Sequence, residues 1–93
     1  MRDIVKKRLR LKTASFDDDV DALIEEARKD LEVTGIATEK AQSEDDPLIR
    51  RAVTLYCLAH FGKDNPDAGR YLQGYESLRD KLSMTGEYNG RME

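Results

Sequence analysis

One segment, Phe16 to Ile36, constrains the fold most, because it encodes an amphipathic helix with both a start and a stop. Ser15 is placed to accept a hydrogen bond from a free N–H of the first turn, and the acidic residues 17–19 follow where the helix dipole favours negative charge. Gly35 suits the left-handed residue that ends a helix, and Ile36 can make the hydrophobic contact that accompanies such a stop. The apolar side chains recur at the helical period: Phe16, Val20, Leu23, Ile24, Ala27 and Leu31. We therefore predict a helix from about Asp17 to Thr34.

Three further helices are expected along the chain. The first is short, from about Arg2 to Leu9, with a narrow apolar stripe and otherwise basic faces. After a surface loop over residues 37–45, a helix begins with Asp46 as N-cap and Pro47 at its first position, and Gly62 ends it. Its apolar residues cover most of its circumference, which is typical of a central helix.

The C-terminal part combines a helix and a tail. A turn over residues 63–67 is predicted to lead into a helix from about Asp67 to Ser83. Residues 86–93 contain two glycines and show no helical period, so we expect a flexible tail. No strand pattern competes over a useful length. The prediction is an all-α fold: a small bundle of three main helices with a short N-terminal helix, forming one domain of residues 1–85 and a tail of residues 86–93.

Charge is distributed unevenly, which bears on self-association. Residues 1–14 contain six basic side chains and one acidic one, whereas residues 15–46 contain three basic and twelve acidic ones. Two segments of opposite charge can neutralise each other within one chain or between copies. Neutralisation between copies favours head-to-tail assembly. The candidate interface residues are charged side chains of both signs and one tyrosine of the tail: Lys6, Lys7, Arg8, Arg10, Asp17, Asp18, Asp21, Arg50, Arg51 and Tyr88.

Catalysis, metal binding and membrane insertion find little support in the sequence. Cys57 and His60 share a helix face, but no motif suggests an oxyanion hole or a third, orienting group, so a position beside the core explains them better. Asp17, Asp19 and Asp21 alternate as in a calcium loop, yet Ala22 stands where that loop needs glycine. We predict no catalytic site, no metal and no cofactor. No apolar run approaches a membrane span and the basic N-terminus lacks an apolar signal core, so cytoplasmic synthesis is expected.

Four blocks, taken in order, cover nearly the whole chain: residues 3–11, 16–36, 46–53 and 75–82, the last followed by residues 86–88. Their most specific elements are the Thr-Gly-Ile stop at residues 34–36 and the Gly-x-Tyr ending at residues 86–88. In this order the blocks resemble the small head–tail connector (neck adaptor) proteins of long-tailed double-stranded DNA phages.

The resemblance implies a structural role without chemistry. Connector proteins of this kind are all-α and assemble as a ring, typically of about twelve copies, beneath the portal of a DNA-filled head. The ring extends the DNA channel and offers a docking surface to the next neck protein or the tail. The expected location is therefore the virion neck, after synthesis in the bacterial host. Tyr88 would anchor the tail segment to the portal or to a neighbouring copy. Only five residues follow Tyr88, which argues against portal binding by a long C-terminal helix.

A second interpretation is a small helical DNA-binding or regulatory protein that uses the basic N-terminal segment. It predicts binding to duplex DNA that weakens steeply with salt. The overall net charge of −3 and the absence of aromatic residues between the basic ones weigh against it.

Overall fold

A computed structural model describes residues 1–62 and 65–90, and within those residues every regular element is helical. This confirms the predicted all-α class. The short N-terminal helix and the three long helices lie where the sequence places them. The elements are α1 (Arg2–Leu9), a 3₁₀ turn (Ala14–Phe16), α2 (Asp17–Thr34), α3 (Thr38–Ala41), α4 (Pro47–His60), α5 (Ala68–Ser83) and α6 (Gly86–Asn89).

Helix α4 is the centre of the bundle, as its apolar circumference predicts. It packs against α1, α2 and α5. Ala52 and Val53 on α4 are fully buried, and they meet Val20 and Leu31 of α2 and Val5 of α1 in one core. Removing this apolar surface from water stabilises the bundle, at roughly 25 cal/mol per Å².

The end of α2 follows the prediction, whereas its start does not. Gly35 adopts φ 118°, and the Ile36 N–H donates to the Leu31 carbonyl at 3.0 Å while the Ile36 side chain is buried. Ser15 is not the N-cap of α2, so that prediction is wrong. Thr13 caps a 3₁₀ turn that contains Ser15, and the turn leads directly into α2, whose capping position is taken by Phe16.

The start of α4 is confirmed in detail. Pro47 is the first residue of the helix, and Asp46 precedes it in an extended conformation. One carboxylate oxygen of Asp46 accepts hydrogen bonds from the backbone N–H groups of Leu48 at 2.9 Å and Ile49 at 3.2 Å. Two of the donors that a helix start leaves unpaired are thereby satisfied.

Two segments expected to be irregular contain a turn of helix instead. Residues 38–41 form α3, which places Ala41 in the core. Residues 86–89 form α6 and pack on the bundle, where the Ala37 N–H donates to the Tyr88 carbonyl at 2.8 Å. Tertiary contacts stabilise helices this short, which have too few turns for their own periodicity to show.

The predicted turn and the predicted tail lie partly outside the residues that the structure describes. Residues 63 and 64 of the predicted turn and residues 91–93 of the predicted tail lie outside the described residues. The division into a domain of residues 1–85 and a segment of residues 86–93 stays a prediction.

Candidate assembly surface

Helix α1 lies against the first turns of α2, and charge pairs join the two. Lys6 Nζ is 2.6 Å from a carboxylate oxygen of Asp17, and an Arg2 guanidinium nitrogen is 3.5 Å from the other. Arg2 also hydrogen-bonds Asp21, with its Nε 2.9 Å from Oδ1. Two basic residues four apart on α1 thus meet two acidic residues four apart on α2, each pair on one face of its helix.

These ion pairs change what the charge pattern implies about the predicted interface residues. The hydrogen bond from Arg2 lowers the pKa of Asp21 below its usual value, and the same contact raises the pKa of Arg2. Lys6, Asp17 and Asp21, predicted as interface residues, therefore have partners inside their own chain. The basic candidates that remain are Lys7, Arg8, Arg10, Arg50 and Arg51.

A groove of about 470 Å³ between α1 and α4 brings three such residues together. Arg8 comes from α1, and Arg50 and Arg51 come from the first turns of α4; all three are exposed. None of them has an ion-pair partner among the residues that the structure describes. We call this surface the arginine groove; its main lining residues are Ile4, Arg8, Arg50, Arg51, Thr54 and Leu55.

A second groove, of about 370 Å³, continues this surface between α4 and α5. It shares Arg51 and Leu55 with the arginine groove and ends at Lys81 of α5. Leu48 and Leu78 also line it, and Leu48 is 41% exposed. The two grooves together present apolar side chains flanked by basic ones, a combination suited to binding an acidic protein surface.

Three of the other predicted residues stay exposed on separate parts of the surface. Lys7 and Arg10 border a depression of about 490 Å³ beside Leu11, on a different side of α1 from the arginine groove. Asp18 lies on the outer face of α2. In the part of the chain that the structure describes, none of the three forms an ion pair, so all three remain available to another molecule.

Tyr88 is not exposed, which corrects its predicted role as a free anchor. Its side chain is 7% exposed, and its hydroxyl donates to Asp46 Oδ1 at 3.2 Å. Burial, together with this bond to a carboxylate, raises the pKa of Tyr88 to about 12. Lys40 of α3 lies 5.5 Å from the ring centroid. The tyrosine therefore joins α6 to the start of α4 within its own chain.

A polar network fixes α2, α4 and α5 relative to one another. The Tyr75 hydroxyl donates to an Asp30 carboxylate oxygen at 2.6 Å, and Arg79 pairs with the same oxygen at 3.2 Å. The Tyr56 hydroxyl donates to Glu26 at 2.9 Å, and burial raises the pKa of Tyr56 to about 12. Because these bonds link three helices, they hold the surfaces of α4 and α5 that line the grooves in one arrangement.

Arg28 of α2 is a buried cation that was not among the residues predicted from the sequence. Arg28 is 6% exposed, and its guanidinium donates to the carbonyl oxygens of Ala41 at 3.0 Å and Ser43 at 3.3 Å. It thereby holds the segment after α3 against α2. Its position could have indicated this, because Arg28 follows Ile24 by four residues and precedes Leu31 by three, on the apolar face.

The geometry around the single cysteine opposes a catalytic role. Cys57 is fully buried, and burial raises the pKa of its thiol to about 12, which disfavours the nucleophilic thiolate. His60 is exposed, and its ring lies 4.2 Å from the ring of Tyr56. Among residues 1–62 and 65–90, no group of three or more His, Cys, Asp or Glu side chains is arranged to hold a metal ion. Nor is any helix in these ranges long and apolar enough to cross a membrane.

Comparison with known proteins identifies the class of protein. Residues 1–89 match the family described as phage connector protein. Neither the curated proteins nor the solved structures gave a match. The match runs from α1 through α6 and includes both grooves. Proteins of this family are structural, are associated with the virion and interact with other head and tail proteins. The chain belongs to the phage connector family, and its role is that of a structural connector.

Proposed function

We propose that copies of this chain form a ring of about twelve subunits beneath the portal of a phage head. The ring extends the DNA channel in the virion neck, and its far side provides the docking surface for the next neck protein or the tail. The subunits are made in the host cytoplasm and bind beneath the portal. The observation that carries this proposal is the match to the connector family over residues 1–89.

The surface of the subunit supports assembly into a ring. A closed ring formed from one kind of chain needs two different, complementary surfaces on each subunit. The arginine groove supplies a basic surface, and α2 retains exposed acidic residues such as Asp18 and Glu25 after Asp17 and Asp21 have paired with α1. Each contact can be weak alone, because binding to a symmetric portal makes many contacts at once.

Passage of DNA fits the overall charge. A channel through which a genome slides must not bind DNA tightly, and a net charge of −3 is compatible with that. The second candidate, a DNA-binding protein, is favoured by one observation, the three arginines of the arginine groove, which have no ion-pair partner within residues 1–62 and 65–90. It predicts salt-sensitive binding to duplex DNA with no need for a portal.

The experiment that tests the proposal removes the protein from the phage. An early stop codon is placed in its gene, and lysates are imaged by electron microscopy, with the protein supplied from a plasmid as the control. We expect separate DNA-filled heads and finished tails that join when the protein is supplied. Infectious particles of normal form without the protein would refute the connector role, and salt-dependent DNA binding would then be measured.

A further inference from the structure

We infer that the arginine groove receives the outer face of α2 from a second copy of this chain. The inference rests on the proposed ring and names the two surfaces that meet in it. The occupant is one exposed stripe of α2, whose residues follow one another at steps of four, three, four and four. We call it the α2 outer stripe: Asp18, Ala22, Glu25, Lys29 and Val33.

The groove has the chemistry to take an acidic helix with small side chains. Arg8, Arg50 and Arg51 are exposed and without ion-pair partners in the described part of the chain, so they retain their full charge for a neighbour. Ile4 and Leu55 are half-buried and give the groove an apolar component. A nucleic-acid backbone would use the arginines but would gain little from these apolar side chains, whereas a protein helix uses both.

The α2 outer stripe is complementary to this groove in charge. Asp18 and Glu25 are exposed and lack ion-pair partners among residues 1–62 and 65–90, and Ala22 between them is small enough for a close approach. Val33 is 75% exposed, which gives the far end of the stripe an apolar residue. Lys29 lies in the second half of the stripe, so the acidic first half is the part that fits the arginines.

The two surfaces lie on different helices and share no residue. The groove is built from α1 and α4, and the stripe is the side of α2 opposite the buried residues Val20, Ile24 and Leu31. One subunit can therefore use its groove for one neighbour and its stripe for the other. A contact of this kind is head-to-tail, and repeated rotation about an axis closes it into a ring.

The test is an exchange of charge between the two surfaces. Heads that carry portals but lack this protein are mixed with the wild-type chain and with variants, and bound copies per head are counted by quantitative mass spectrometry. One variant reverses the groove (Arg50→Glu with Arg51→Glu), one reverses the stripe (Asp18→Lys with Glu25→Lys), and one combines all four changes. Arg70→Glu is the matched control, an exposed arginine on α5 outside both surfaces. Circular dichroism melts establish that each variant is folded.

Each single-surface reversal is expected to lower the bound copies at least about tenfold, because like charges then face each other across the contact. The combined variant is expected to restore binding to within about threefold of wild type, and Arg70→Glu to leave it unchanged. Unchanged binding of folded single-surface variants, or no recovery in the folded combined variant, would overturn this inference alone. Failure of the wild-type chain to bind heads would overturn the proposed function as well. Salt-sensitive binding of a duplex DNA probe that the groove variant loses, with normal binding to heads, would assign the groove to DNA and overturn the inference.

Discussion

The carboxylate of Asp46 joins two ends of the chain, and its removal should cost more than the loss of an ordinary helix cap. Asp46 Oδ1 accepts from the N–H groups of Leu48 and Ile49 and from the hydroxyl of Tyr88. The variant Asp46→Ala therefore loses the N-cap of the central helix and leaves the buried Tyr88 hydroxyl without this acceptor.

The magnitude follows from these three bonds. Loss of an N-cap costs about 1 kcal/mol, and a buried hydroxyl that loses its partner costs about 1 kcal/mol more, at the low end because the oxygen–oxygen distance is 3.2 Å. Asp46→Ala is thus expected to lower the free energy of unfolding by about 2 kcal/mol, or the Tm by roughly 8–16 °C. Tyr88→Phe, which removes the hydroxyl alone, should cost about 1 kcal/mol.

Urea unfolding followed by circular dichroism measures these differences. Asp45→Ala is the matched control, since Asp45 is the exposed neighbour of Asp46 and its side chain accepts no hydrogen bond within residues 1–62 and 65–90. We expect it to change stability by less than about 0.5 kcal/mol. In a double-mutant cycle, Asp46→Ala and Tyr88→Phe should be less than additive, because both remove the same bond. Equal effects of Asp46→Ala and Asp45→Ala, or full additivity in the cycle, would refute this account of the C-terminal contact.

Three further predictions concern other contacts of the bundle. Arg28→Met should lower the free energy of unfolding, measured in urea, by about 2 kcal/mol, because buried carbonyl oxygens lose their donor. The same change at the exposed neighbour, Lys29→Met, should alter the free energy of unfolding by less than about 0.5 kcal/mol, and equal effects would contradict the role of Arg28. Cys57 should react with a thiol reagent only after unfolding, since burial raises its pKa to about 12; rapid labelling of the native protein would be inconsistent with the structure. Asp21→Asn should make the protein lose less stability than wild type as the pH falls below about 4. The lowered pKa of Asp21 makes its carboxylate stabilising above the ordinary carboxylate pKa, and this contribution, which the variant lacks, disappears from the wild type as the pH falls. Identical acid unfolding curves would argue against the Arg2 contact.

The helices that could be predicted from the sequence are those whose start and stop signals lie in neighbouring residues. The limits of α2 and α4 follow from residues that act on the backbone beside them: Gly35 with Ile36 at one end, and Asp46 with Pro47 at the other. The central position of α4 followed from the apolar residues around it. Ser15 is not the cap of α2, because Thr13 caps a separate 3₁₀ turn that contains Ser15. From the sequence alone, the hydroxyls of Thr13 and Ser15 are equally suitable for capping.

What the sequence did not reveal depends on contacts between distant segments. Helices α3 and α6 are single turns, and the bond between Ala37 and Tyr88 links residues 51 apart. Among the candidate interface residues, Lys6, Asp17 and Asp21 pair within the chain, while Arg8, Arg50 and Arg51 meet in one groove. A charge count along the chain cannot separate these two groups, because it does not show which helix faces pack together.

The most direct test of the central claim is a cryo-electron microscopy reconstruction of the virion neck, refined without imposed symmetry. The proposal predicts that copies of the helical bundle formed by residues 1–62 and 65–90 make a closed ring between portal and tail, with α2 of each copy facing the arginine groove of the next. Density that places no copies there, or a single copy beside the channel, would contradict it.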